Sequence, residues 1–180
     1  DINNKKNQIL FPARVLFDKG AIEFFKSAET LKKEFPSWNF LVAGASDYAS
    51  PSAIPRNTIE DYVNSGAISY LGHVEDIDKH FRESRIVCLP SYREGFPKAL
   101  MEASAASCAV VTTDVTGCRD AIIDKVTGIL VKPRNVDLLT EALRDLLLNE
   151  DKINLYAKNG FEHAKENFCQ KKIIADINDL

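Results

Sequence analysis

Short apolar runs alternate six times with segments of helical spacing, and that alternation constrains the fold more than any single motif. The runs are Ile9-Leu10-Phe11, then 39–43, 68–71, 86–89, 109–112 and 128–131. Strands joined through helices do not pair as hairpins; crossovers of that length make them parallel. Parallel strands are covered on both faces and read as nearly unbroken apolar stretches, as these do. Between them, Ile22, Phe25, Ala28 and Leu31 recur at helical spacing until Pro36. Leu139, Ala142, Leu143, Leu146 and Leu147 do the same nearer the C-terminus. Shorter helices are expected through Ile59 and Val63 and over 77–83, 97–106 and 120–124, with more helix from about Asp151 onward. The expectation is an α/β chain: a doubly wound, six-stranded parallel sheet, Rossmann-like, with helices on both faces.

Composition narrows the function. The 180 residues suit one ordinary domain, and 45% apolar with 27% charged residues is globular. Lys and Arg total 23 against 26 Asp and Glu, a net charge of −3. Such a balance does not suit a protein that coats nucleic acid or anionic membrane by charge alone. No apolar stretch approaches the roughly 18 to 20 residues of a membrane-crossing helix. Residues 1–7 are polar and do not read as a signal peptide. The chain opens on Asp1 and its one methionine is Met101, so a processed chain or a piece of a longer protein is expected. Cys88, Cys108, Cys118 and Cys169 form no C-x-x-C pair, and His73, His80 and His163 are scattered. Free thiols of a reducing cytoplasm and no metal site are expected.

In a doubly wound sheet, ligands bind outside the carboxyl ends of the strands. After the first run, 13–20 holds one glycine and two cations, Arg14 and Lys19, rather than G-x-G-x-x-G. After the second, Gly44-Ala45-Ser46-Asp47 lacks a second glycine, and no G-x-x-x-x-G-K-[ST] occurs anywhere. NAD or FAD binding of the usual kind is disfavoured. Arg14 and Lys19 sit where an anion would be held, although two solvated loop cations would look the same.

The stronger signal follows the fourth run: Pro90-Ser91-Tyr92-Arg93-Glu94-Gly95-Phe96-Pro97-Lys98-Ala99-Leu100-Met101-Glu102-Ala103. Gly95 permits close backbone approach and Pro97 suits the first turn of a helix. Free amides there, with the positive end of the helix dipole, make an anion site. Glu94 stands before that N-terminus and Glu102 eight residues later, roughly 12 Å along a helix axis. A glycosidase pair needs carboxyls about 5 to 9.5 Å apart, so this spacing speaks against one. It suits two ends of one extended ligand, a sugar at Glu94 and a ribose at Glu102 with phosphates between. The plainer alternatives are a helix-surface carboxylate at Glu102 and a dipole-stabilising one at Glu94.

With these residues the chain resembles the C-terminal, donor-binding domain of retaining GT-B glycosyltransferases of family GT4. Arg14-x4-Lys19-Gly20, Gly72-His73-Val74 and the 90–103 stretch with its E-x7-E element carry the resemblance. Thr113-Asp114-Val115-x-Gly117-Cys118-Arg119-Asp120 and Thr127-Gly128-Ile129-Leu130-Val131 continue it, over roughly residues 8 to 165. The wording is closest to the bacterial branch that builds surface polysaccharides such as capsule, O-antigen or lipid-linked oligosaccharide.

That resemblance implies a set of roles. Glu94, the catalytic candidate, would hydrogen-bond hydroxyls of the donor sugar, and Glu102 the ribose. Arg14 and Lys19 would bind the diphosphate with the backbone around Gly95, Phe96, Pro97, Lys98, Ala99 and Leu100. Gly72, His73 and Val74 would lie against the base. The ligand would be a nucleotide-sugar, UDP-linked by preference, with no metal and no other cofactor. The acceptor, a glycan or lipid-linked sugar, would be held by an N-terminal domain that this chain lacks, leaving the fragment inactive alone. Residues 1–165 would form the nucleotide-sugar domain, and 166–180 a helical tail crossing to the missing half. The resemblance places the parent enzyme in the cytoplasm, at the inner face of the cytoplasmic membrane, with no membrane span and no nucleic-acid partner. Ser107 and Ala109 stand where the family usually has Gly and Pro. A nucleotide-sugar epimerase-like GT-B domain and a flavodoxin-like binding module are the alternatives. The latter would need an acidic cluster after the first strand, where Asp18 stands alone between cations.

Overall fold

The structure, a computed structural model, describes residues 4–178, with side chains for 4–167. Strands β1 (Lys6–Phe11), β2 (Asn39–Ala43), β3 (Ser69–Gly72), β4 (Ser84–Leu89), β5 (Ala109–Thr113) and β6 (Gly128–Val131) form one parallel sheet. Their order is β3-β2-β1-β4-β5-β6. The chain therefore winds outward from β1 to one edge, returns, and winds outward from β4 to the other. The connecting helices cover both faces of the sheet. Those helices are α1 (Ala21–Glu34), α2 (Arg56–Asn64), α3 (Ile77–Glu83), α4 (Lys98–Ala105), α5 (Thr116–Ala121), α6 (Val136–Leu147) and α7 (Glu150–Asn178). Helix α1 packs on α6, and α4 on α7.

Burial follows the periodicity. Ile9, Leu10 and Phe11 of β1 and Ile86, Val87 and Cys88 of β4 are wholly inaccessible, as central parallel strands should be. Phe24 bridges Phe11 and Phe40, with ring centroids 5.4 and 6.1 Å away, in tilted pairs that suit aromatic quadrupoles. The edge strand β3 differs: Ser69 and Leu71 are exposed, and among the described residues no strand pairs with its outer side. Arg144 of α6 donates to both carboxylate oxygens of Glu34 on α1, at 2.7 and 2.8 Å, tying two helices of one face. The same guanidinium lowers the Glu34 carboxyl below its ordinary range.

Several boundaries shift from expectation. Helix α5 spans Thr116–Ala121 rather than 120–124. Arg119 in its last turn reaches back to Asp114 Oδ1 at 2.5 Å, which fixes the loop before the helix instead of extending it. Strand β4 starts at Ser84, two residues early, because Ser84 hides its hydroxyl by donating to His80 O and accepting from Gln8 Nε2. Strand β3 ends one residue later, at Gly72. Cys88, Cys108 and Cys118 are free and buried. Helix α7 runs unbroken across 165/166. The side chains of Cys169, Ile173, Ile174 and Ile177 lie outside the described residues. Among the described residues, no helix is long and apolar enough to cross a membrane.

The position of the reversal between β1 and β4 decides where the loops meet. Ile9 pairs with Ile86 and Leu10 with Val87, so both strands deliver their following loops to one edge. Gly20 then opens α1 with φ 72°, and a side chain there would collide with the carbonyl of Pro90. Only glycine allows the β1–α1 and β4–α4 loops to approach so closely.

Candidate functional site

The β4–α4 loop is held from four sides. Gly20 packs under Pro90, as described. Thr113 Oγ1 at the end of β5 donates to Ser91 O. Tyr92 N–H donates to Asp18 O at 2.9 Å, in a 3-10 turn (Phe17–Lys19) of the β1–α1 loop. Gly117 N–H of α5 donates to Glu94 O at 3.2 Å. A side chain at Gly117 would overlap the Glu94 carbonyl, so the contact exists only because residue 117 is glycine. At Gly95, which is exposed, no atom of the described residues crowds the place a Cβ would take, so its backbone faces open space.

Inside this frame Lys19 and Glu94 meet. Lys19 Nζ lies 2.7 Å from Glu94 Oε1, and the Glu94 side chain is only 11% exposed. Ser91 Oγ donates to the same oxygen at 2.7 Å. The cation and the hydroxyl take the place of water that the enclosed carboxylate has lost. The sequence brought Lys19 and Glu94 to one edge of the sheet; Ser91 and Thr113 were missed as supports, since small hydroxyl residues give no pattern of their own.

Arg14 lies elsewhere on the same edge. It is exposed, and its guanidinium pairs with Asp47 of the β2 loop at 3.0 Å. Val15 N–H, bonded to Ala45 O at 3.0 Å, seats this part of the β1 loop beside that of β2. Asp47 was read only as part of a loop lacking a second glycine.

Helix α4 begins at Lys98 with buried Pro97 as its N-cap residue, so Glu94 to Pro97 form a turn, and the helical rise applies only from Lys98 on. Lys98 N–H donates to Phe96 O and Leu100 N–H to Pro97 O, both at 2.9 Å. With Pro97 lacking an N–H, the amides open to an anion are fewer than the run 96–100 suggests. The Phe96 ring is 69% exposed, Ala99 is half-buried and Leu100 is in the core. Lys98 Nζ pairs with Glu102 Oε1 at 3.1 Å across one helical turn. Gly72 closes β3, Val74 is half-buried, and exposed His73 joins Ser46, Tyr48, Arg56 and Tyr70 around a cleft of about 480 Å³. Among the described residues, no three His, Cys, Asp or Glu side chains gather as a metal site would require.

This arrangement offers cations, a carboxylate with a hydroxyl support and a helix N-terminus along one edge. It can neutralise an anionic group and accept hydrogen bonds from hydroxyls beside it. Comparison with known proteins agrees on the fold and the family. The C-terminal domain of the group 1 glycosyl transferase LpcC from Francisella tularensis superposes with a TM-score of 0.80 at 24% identity, over 89% of this chain and 85% of that one. HepE from Anabaena, solved with UDP and glucose, superposes with a TM-score of 0.81 at 16% identity, over 99% of this chain and 50% of that one. In sequence, the N,N'-diacetylbacillosaminyl-diphospho-undecaprenol alpha-1,3-N-acetylgalactosaminyltransferase of Campylobacter jejuni is 38% identical over 162 residues, covering 89% of this chain and 41% of that protein. A second transferase of that organism, an alpha-1,4-N-acetyl-D-galactosaminyltransferase, is 28% identical over 97% of this chain and 50% of its own length. The chain thus spans about half the length of these curated relatives. These relatives do not favour the epimerase-like or flavodoxin-like readings. The sheet is that of the C-terminal domain of a GT-B glycosyltransferase. The model of the family described as "Glycosyl transferases group 1" matches residues 1–163, and the chain belongs to that family.

Proposed function

We propose that this chain is the donor-binding half of a retaining glycosyltransferase that moves a sugar from a nucleotide-sugar to a glycan or lipid-linked acceptor in bacterial polysaccharide synthesis. The observation that carries the reading is the Lys19–Glu94 pair, 2.7 Å apart, just before the N-terminus of α4. A cation, a hydroxyl-accepting carboxylate and a helix N-terminus are what a diphosphate joined to a sugar would need. Glu94 takes hydroxyls of the sugar, and Lys19 and Arg14 the diphosphate. The backbone of Gly95 to Ala99 supports that charge, Glu102 the ribose, and Gly72 to Val74 the base. UDP is the favoured nucleotide, and HepE, a fold relative, was solved with UDP.

Charge that develops on the departing diphosphate would be neutralised by Lys19, Arg14 and the α4 dipole, without a metal or other cofactor. Fixed charges of this kind are commonly the largest catalytic contribution. The acceptor attacks the face the diphosphate leaves, which retains configuration. Residues 1–165 make the nucleotide-sugar domain, and 166–180 reach toward an N-terminal half that holds the acceptor. The whole enzyme would work in the cytoplasm at the inner membrane face; the names of the Campylobacter relatives, which include undecaprenol-linked sugars, support a lipid-linked acceptor.

The test is calorimetry or ligand-observed NMR on the 180-residue chain with UDP, GDP and ADP and their sugar conjugates. Saturable binding of one nucleotide, tightened by its sugar, is expected. No response to any of them at millimolar concentration overturns the reading.

A further inference from the structure

Tyr92 lies between the residues that support Glu94 and those that carry Lys19, and it is bonded to three separate parts of the fold. Its N–H donates to Asp18 O at 2.9 Å, next to Lys19. Its hydroxyl donates to Glu23 Oε1 at 2.6 Å in the first turn of α1. The Arg134 guanidinium sits 4.6 Å from its ring centroid, reaching over from the β6–α6 loop. Glu23 is only 8% exposed, and its second oxygen is buried with no hydrogen-bond partner among the described residues. A carboxyl buried on those terms depends on the donor it has, so losing the phenol would leave it uncompensated. Burial, then the Glu23 carboxyl, push the Tyr92 phenol above its ordinary value, which keeps it protonated and donating.

Arg134 adds a second oddity. It is a non-glycine residue with φ 58°, in the left-handed region, directly before Asn135, whose side chain caps α6 at Leu138 N. Such a backbone is retained where surrounding contacts over-determine it, and the guanidinium over Tyr92 is one of them.

We propose that Tyr92 is a positioning residue: held by Glu23 and Arg134, it sets the separation of Lys19 and Glu94, and through it the discrimination between a nucleotide-sugar and a bare nucleotide. The inference rests on the donor-site reading above. Asp18 and Lys19 are adjacent, and Tyr92 and Glu94 are two residues apart, so a bond joining residues 18 and 92 fixes the 19-to-94 distance at short range. The Glu23 bond keeps Tyr92 from withdrawing toward solvent. Thr113 and Gly117 hold the loop from the other side, so losing the Tyr92 hydroxyl loosens one flank only.

The experiment compares the wild-type chain with Tyr92→Phe, Glu23→Gln, Glu23→Leu and Arg134→Gln. Calorimetry is run with UDP and with UDP-N-acetylgalactosamine, or with whichever nucleotide the panel above selects. Tyr92→Phe is expected to weaken the sugar nucleotide by about five- to tenfold and the bare nucleotide by less than about twofold. Glu23→Gln, which keeps an acceptor for the phenol, should hold the wild-type ratio, and Glu23→Leu should shift it as Tyr92→Phe does. Arg134→Gln should shift the ratio in the same direction as Tyr92→Phe, by less. Equal losses for both ligands, or a lower melting temperature with unchanged affinities, make Tyr92 a mere fold tie and overturn the proposal. If the wild type binds no nucleotide, the donor reading fails separately, and amide exchange then decides. Exchange at the Tyr92 amide, which donates to Asp18 O, at least about tenfold faster in Tyr92→Phe, with the Gly117 and β4 amides unchanged, supports positioning; unchanged Tyr92 exchange overturns it.

Discussion

Lys19 Nζ and Glu94 Oε1 lie 2.7 Å apart although 75 positions separate the two residues in the chain. Their contact is a consequence of strand order, because β1 and β4 are neighbours at the reversal of a doubly wound sheet. The pair also couples two demands on one lysine, since Lys19 serves Glu94 in the structure and the diphosphate in the proposed complex.

Replacing Glu94 separates those demands. In Glu94→Gln the lysine loses its charged partner, so a bare nucleoside diphosphate should bind as tightly as to the wild type or more tightly. The extra affinity contributed by the sugar should fall about tenfold or more, the scale of a lost charge-assisted hydrogen bond. Calorimetry with nucleotide and nucleotide-sugar in parallel reads both.

Removing cations should act on the nucleotide itself. Lys19→Ala and Arg14→Ala should each weaken the bare nucleotide several-fold and flatten the dependence of affinity on salt. Glu102→Ala should weaken it as well. Lys152→Ala, whose Nζ pairs with Asp145 at 2.7 Å on α6, serves as a distant control and should leave binding unchanged. Titrations at two salt concentrations check the set.

Gly117→Ala probes the support of Glu94 from below. Its new methyl would overlap the Glu94 carbonyl, so either α5 or the β4–α4 loop must move. A stability loss of about 1–3 kcal/mol in urea unfolding is expected, together with weaker nucleotide-sugar binding. Unchanged stability and binding would contradict the close packing.

Burial pushes the Cys108 thiol up to about 11, with Lys5 pulling it back in part. Its folded value lies above that of an unfolded thiol, so its contribution to stability is complete below about pH 8.5 and is lost as pH rises toward 11. Urea unfolding between pH 8 and 10.5 should show falling stability, and Cys108→Ala should flatten that slope. Cys88, pushed up by burial alone, continues to contribute in the variant. Below the transition, iodoacetamide should leave Cys108 unmodified until the chain is unfolded.

Much of the site was legible before any coordinates, but unevenly. Glu94, Pro97 and Glu102 stood out because turn and helix residues fall at telling offsets after an apolar run. Arg14 and Lys19 were legible only as two cations in a loop at the ligand-binding edge of the sheet, and nothing local said that one would meet Asp47 and the other Glu94. Gly117 stood in the sequence without its role, since a glycine announces permissiveness without naming its neighbour, here the Glu94 carbonyl. Tyr92 was legible only as one residue of the 90–103 stretch, with no role of its own, and Glu23 and Arg134 carried no signal, as each is ordinary for its own element.

The sequence by itself determined the order of elements, the parallel sheet and the edge that bears the site. Apolar periodicity sums over many residues and survives local errors such as the misplaced α5. Only the tertiary structure decided which side chains touch. The Lys19–Glu94 pair, the phenol of Tyr92 on Glu23 and the glycine under Glu94 each join residues from different strands' loops or helices. Those contacts depend on strand order, register and the space left between backbones. No window of neighbouring residues contains that information, because it is created when distant segments pack.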